Sequence, residues 1–229
     1  MVTMTGLWCG MAAILYAVES HWQTAVILLL IAALLDFFDG KIARLLGLDN
    51  AFGLELDSFA DVISFGVAPA LIIFLWALAD VNLGWLWVMI YVSGVTLRLV
   101  NFNVTSDTSD QVFSLLPKGH YFKGLPAPLA ALFCLLPMMV SFHYDTVISP
   151  YICISVLLAC TLFMVTPLPF PSIKGMPLFI VLFLLVGMIV LLATPWFWLA
   201  VMIVLGSYIF WLPFSLLAFR RRILAVRKL

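Results

Sequence analysis

Long apolar runs interrupted by short polar stretches dominate the chain from end to end. A helix needs roughly 20 residues to cross about 30 Å of hydrocarbon. On that measure the pattern predicts eight membrane-spanning helices, near residues 2–18, 22–45, 56–79, 83–102, 126–143, 149–166, 176–193 and 196–219. The first run has no basic residue ahead of it and no cleavage-like site before the second, so it reads as a retained helix and not as a removable signal. The expected fold is therefore an all-α integral membrane protein. It is a bundle of about eight transmembrane helices forming a single domain over residues 1–229, with both termini on one side.

The basic residues test this division independently, because Lys and Arg are retained on the cytoplasmic side of short loops. Lys41 and Arg44 follow the second span, and Arg98, Lys118 and Lys123 follow the fourth. Lys174 follows the sixth, and Arg220, Arg221, Arg222, Arg227 and Lys228 follow the eighth. All fall on the same side. The opposite loops carry Glu19, His21, Asp80, His143 and Asp145 and no basic residue. The expected location is the cell (inner) membrane, multi-pass, with both termini and the longest loop, about 103–125, in the cytoplasm. That loop is rich in Ser, Thr, Asp and Gly and reads as a flap without a core of its own.

Composition agrees: 66% of the 229 residues are apolar and 10% are charged, and the mean hydropathy is +1.22, far from the balance of a water-soluble domain. Eleven Lys and Arg against eleven Asp and Glu give no net charge, so nothing points to nucleic acid as a partner. Cys9, Cys134, Cys153 and Cys160 lie in apolar runs, without CxxC spacing, and read as small buried hydrophobes.

Against this background the stretch DFFDGKIARLLGLDNAFGLELDSFAD, residues 36–61, is anomalous. An ionised carboxylate inside a bilayer costs several kcal/mol, roughly, unless cations or water compensate it. At 100° per helical residue, Asp36, Asp39, Gly40 and Ala43 fall within about 100° of one another, and Gly53, Asp57, Ala60 and Asp61 form a similar stripe on the next segment. The two segments run antiparallel around a turn at GLDNAF. Asp36 then lies about 4.5 Å deeper than Asp39, and Asp61 about 6 Å deeper than Asp57. The four acids thus form a square opening toward the cytoplasm. Hard oxygen donors without His or Cys favour Mg²⁺, Mn²⁺ or Ca²⁺. Two divalent cations would balance four carboxylates, and a two-metal carboxylate site is a device for clamping a diphosphate. Arg44, one turn nearer water, is placed to add a phosphate contact. Asp49, in the turn, reads as solvated. The alternative is that the acids are ordinary interfacial helix-end residues.

The spacing DxxDGxxAR(x8)GxxxDxxxD, filled by Asp36, Asp39, Gly40, Ala43, Arg44, Gly53, Asp57 and Asp61, resembles the signature of the CDP-alcohol phosphatidyltransferases. The resemblance implies that Asp36, Asp39 and Asp57 bind the metals, and that Asp61 both approaches a metal and acts as general base. It also implies that Gly40, Ala43, Arg44 and Gly53 accommodate the CDP moiety. GLELDSFADVISFGVAP (53–69), TLRLVNFN (96–103) and FKGLPAPLAA (122–131) are similar to the branch of that family whose acceptor is L-serine, as is VTMTGLWCG (2–10), in which Thr3 is implied to lie near the nucleotide. The likeness covers most of the first 131 residues and thins to PFPSIKG at 169–175. Where that branch tends to carry a basic residue before FN, this chain has Asn101.

The implied reaction takes CDP-diacylglycerol, or an archaeal ether-lipid counterpart, and L-serine to the phosphatidylserine-type lipid and CMP, in a protein that is commonly a homodimer. The carboxylate of serine calls for a cation. Arg98 at the end of the fourth span and Lys123 before the fifth are the candidates, although positive-inside residues stand at such places regardless of chemistry. His120 reads as a solvated loop residue, and Pro126 and Pro128 as shaping the entry into the fifth span. Glycerol 3-phosphate, inositol phosphate or choline are alternative acceptors, the phosphorylated ones requiring a denser basic cluster. A cation transporter is the alternative from another class, but it leaves Gly40, Ala43, Arg44 and Gly53 without a purpose and expects acids along a crossing pathway.

Overall fold

The computed structural model describes residues 2–46, 51–106, 121–166, 169–171 and 196–206. Helix α1 (Val2–Val18) and helix α2 (Trp22–Leu46) form an antiparallel pair that packs closely along its length. Helix α3 (Ala51–Asp61) continues through a π-helical stretch (Val62–Val67), helix α4 (Ala68–Ile73) and a second π-helical stretch (Phe74–Leu78), giving one apolar rod over Phe52–Leu78. Helix α5 (Gly84–Ser106) returns toward the acidic end. Helices α6 (Ala127–Cys134) and α7 (Leu136–Tyr144) then lead away from it, and α8 (Pro150–Val165) comes back to pack on α5. A last described helix, α9, covers Phe197–Gly206.

Among the described residues, four helical segments are long and apolar enough to cross a membrane: Trp22–Asp39, Phe52–Leu78, Gly84–Val104 and Ala127–Tyr144. Thr3–Val18, Pro150–Val165 and Phe197–Gly206 are shorter apolar helices. The first six expected spans thus correspond to observed helices. The seventh, 176–193, lies outside the described residues, as does the eighth beyond Gly206. Large apolar side chains such as Trp8, Leu15, Met89, Leu97 and Val100 face outward, as a surface that meets lipid tails allows. Inside, Val26, Leu29, Phe65, Ile72, Tyr91, Leu135, Met138 and Leu157 form a continuous core.

Two features add to the expected all-α bundle. The fifth span is not one helix: α6 ends at Cys134 and α7 restarts at Leu136 with Pro137 in its first turn, where the missing proline N–H breaks the hydrogen-bond ladder. A short antiparallel ladder also joins β1 (Tyr121–Lys123) to β2 (Pro169–Pro171), with Phe122 opposite Phe170 and Lys123 opposite Pro169. Beyond it, Gly124 takes φ +73°, where a Cβ would fall 2.5 Å from the Met164 carbonyl oxygen, and Leu125 N–H donates to the Phe163 carbonyl at 3.0 Å. The last residues of the expected flap are therefore tied to the end of α8, while 107–120 lie outside the described residues.

Helix contacts near the acids depend on small residues. A Cβ at Gly10 of α1 would lie 2.6 Å from Ser64 Oγ and 2.9 Å from Ser64 Cα, so only glycine lets α1 approach the rod that carries Asp57 and Asp61. Buried Tyr91 on α5 donates its hydroxyl to the Phe65 carbonyl at 2.9 Å, pinning the π-helical turn that begins directly after Asp61. Such wide turns inside α-helices concentrate at functional sites. At the far end of the bundle, Tyr16 stacks edge-on with His21, and His143 contacts Tyr144 and Trp196, the amphipathic ring chemistry of a membrane–water boundary.

Candidate active site

Two helices bring the acids together. Asp36 lies on α2, and Asp57 and Asp61 lie one turn apart on α3, all three partly buried. One carboxylate oxygen from each lies within 4.8 Å of the others. Three acids at that separation need a shared proton or a cation between them. The donors are all hard oxygens, with no thiol or imidazole in the group. This set suits a divalent cation of the Mg²⁺, Mn²⁺ or Ca²⁺ type.

Asp39 stands beside this trio, outside the group whose oxygens converge. Its Oδ2 accepts a hydrogen bond from the Thr3 hydroxyl on α1. Thr3, expected near the nucleotide, thus also orients an acid from the neighbouring helix, as outer hydrogen bonds orient metal-binding carboxylates. Gly40, Ala43 and Arg44 lie on the last turns of α2, their side chains outside the described residues, and Gly53 is exposed on α3. Arg98 on α5 is half-buried with its Nε inside the protein, within electrostatic reach of Asp61. Lys123 is fixed in β1 by backbone pairing, with its side chain outside the described residues. His120 and Asp49 also lie outside them.

One polar pair was not legible in the sequence. Asn103 Nδ2, near the end of α5, donates to Ser58 Oγ at 2.9 Å, and the Ser58 hydroxyl in turn donates to the Leu54 carbonyl at 3.0 Å. Ser58 follows Asp57 directly, so this contact joins α5 to the acid-bearing helix beside the converging carboxylates. Both residues stand in stretches similar to the serine-accepting branch, Ser58 in 53–69 and Asn103 in 96–103, but with 45 residues between them nothing in the sequence pairs them.

Comparison with known proteins agrees with this geometry. Residues 1–167 match the sequence profile of the family described as CDP-alcohol phosphatidyltransferase. A Mycobacterium leprae protein named CDP-diacylglycerol--serine O-phosphatidyltransferase is 37% identical over 130 residues, 57% of this chain and 42% of the relative. The match therefore spans less than half of that relative's length. A Helicobacter pylori protein of the same name is 31% identical over 189 residues, 80% of this chain and 76% of the relative. An archaeal protein from Methanothermobacter thermautotrophicus, named archaetidylserine synthase, is 32% identical over 182 residues, 77% of this chain and 70% of its own. With its acids converging from the two helices that carry the signature and the profile matched across nearly three-quarters of its length, this chain belongs to the CDP-alcohol phosphatidyltransferase family.

Proposed function

We propose that the protein transfers a phosphatidyl group from CDP-diacylglycerol to L-serine, releasing CMP, at the cytoplasmic face of the inner membrane. The observation that carries this reading is the convergence of Asp36, Asp57 and Asp61 to within 4.8 Å inside a membrane-embedded bundle. A lipid-linked diphosphate presents its charge at that border while its tails remain among the helices. The similarity to relatives named for serine transfer supports the acceptor. In this proposal the chain crosses the membrane eight times with both termini in the cytoplasm, and a second copy completes a homodimer.

Asp36, Asp39, Asp57 and Asp61 would hold two divalent cations, Mg²⁺ or Mn²⁺. When bound, such cations neutralise a diphosphate and make its phosphorus more electrophilic. The chain's own groups do the rest. Thr3 holds Asp39 in orientation. Gly40, Ala43 and Gly53 leave room for the CDP moiety, and Arg44 contacts its phosphates. Asp61 takes the proton from the serine hydroxyl as that oxygen bonds to the β-phosphorus and the bond to CMP breaks. The Arg98 guanidinium orients the serine carboxylate, with Lys123 as a second cation at the mouth.

Incubating the purified protein with CDP-diacylglycerol and each of labelled serine, glycerol 3-phosphate, inositol phosphate and choline tests the reading. Labelled lipid and CMP are expected with serine alone. Lipid product from another alcohol, and none from serine, overturns the acceptor assignment. Because one relative is named for an archaeal lipid, a parallel arm with the CDP-activated ether lipid reports the donor class.

A further inference from the structure

Arg98 is a long side chain on a helix that carries no acid of its own near the site, so its aim depends on how α5 is seated. The Asn103–Ser58 hydrogen bond, 2.9 Å and partly buried, is a side-chain link between α5 and the acid-bearing helix. Five residues separate Asn103 from Arg98, which is about 7.5 Å along the axis and about 140° around it. A contact offset in both senses fixes the separation of the two helices and the rotation of α5 about its own axis, and with them the direction in which Arg98 leaves the backbone. Ser58 is itself held: its single proton goes to the Leu54 carbonyl at 3.0 Å, which leaves lone pairs facing the Asn103 amide. Tyr91 fixes the deeper part of the same interface through the Phe65 carbonyl. Arg98 lies between these two fastenings along α5.

We infer that Asn103 and Ser58 are positioning residues that latch α5 to the helix bearing Asp57 and Asp61 and so aim Arg98 at the acceptor alcohol. The inference rests on the proposed function for the identity of that alcohol. Neither residue touches the reacting atoms in this account. Their contribution appears in acceptor binding and passes through Arg98.

The test is a set of steady-state measurements on the full-length protein, with acceptor and CDP-diacylglycerol varied separately. Ser58→Ala and Asn103→Leu are each expected to raise the serine KM about five- to tenfold, the loss that follows one broken partly buried hydrogen bond, with kcat and the CDP-diacylglycerol KM moving less than about twofold. Ser58→Thr keeps the hydroxyl and is expected to restore the serine KM. In an Arg98→Ala background the same substitutions should add less than about twofold, because their effect has lost its intermediary. An unchanged serine KM, an equal rise in both KM values, or full additivity with Arg98→Ala overturns the latch. Failure of the serine reading is scored separately, on the wild type: if it forms lipid only with another alcohol, the same cycle is read on that alcohol's KM, with the same criteria.

Discussion

Replacing Asp57 by Asn is expected to lower turnover by about a thousandfold with every acceptor alcohol, the scale on which loss of a charge-stabilising group at a reacting centre is felt. The substitution preserves shape and removes one negative charge and one hard oxygen from the group in which Asp36, Asp57 and Asp61 converge within 4.8 Å. Asp57 sits one turn from Asp61 on the same face of α3, so the helix and its packing should survive. Residual activity of Asp57→Asn should need far more Mn²⁺ for half-maximal rate, and a circular-dichroism spectrum like the wild type's would confirm that the fold is intact. Wild-type turnover at wild-type Mn²⁺ demand would remove Asp57 from the metal site.

Arg98→Ala carries the second large effect. A guanidinium that meets a carboxylate in a partly buried setting contributes charge-assisted hydrogen bonds, and their loss corresponds to about ten- to a hundredfold in binding. The serine KM should rise by that factor while the KM for CDP-diacylglycerol stays within about threefold. Both constants come from the same CMP-release assay. A rise confined to CDP-diacylglycerol would place Arg98 on the nucleotide side, and an unchanged pair would leave it as a topology residue.

The acids illustrate what one sequence discloses. Asp36 on α2 and the Asp57–Asp61 pair on α3 were placed on facing stripes by helical periodicity alone, and the structure brings these three together. The fourth corner differs in detail: Asp39 is engaged by Thr3, a contact across 36 residues that no local period encodes. The apolar runs located α1, α2, α5 and α8 to within a few residues, because uninterrupted hydrophobicity and flanking turn residues mark both ends. The hydropathy pattern starts the third span near residue 56, several residues late. The helix begins at Ala51, where acids and glycine depress hydropathy without breaking the backbone pattern.

Other features carried weaker signals. Pro137 was visible in the sequence, yet the fifth apolar run read as continuous because a proline near a helix restart and one inside a kinked span look alike. The three-residue strands Tyr121–Lys123 and Pro169–Pro171 are too short for alternation to register, and their pairing joins segments more than 40 residues apart. The π-helical turns after Asp61 leave no compositional mark at all. The Asn103–Ser58 bond is of the same kind as the Thr3–Asp39 contact: polar residues ordinary in themselves, made specific by tertiary packing.

The central claim is that the carboxylate group on α2 and α3 holds a pair of divalent cations against a diphosphate. The most direct measurement is Mn²⁺ titration of the purified protein, followed by electron paramagnetic resonance, with and without a non-reactive CDP-lipid analogue. The account predicts about two Mn²⁺ per chain in the presence of the analogue, displaced by Mg²⁺ and lost in Asp36→Asn, Asp57→Asn and Asp61→Asn. Stoichiometric Mn²⁺ binding that none of these three substitutions disturbs, or no binding at all with the analogue present, would contradict it.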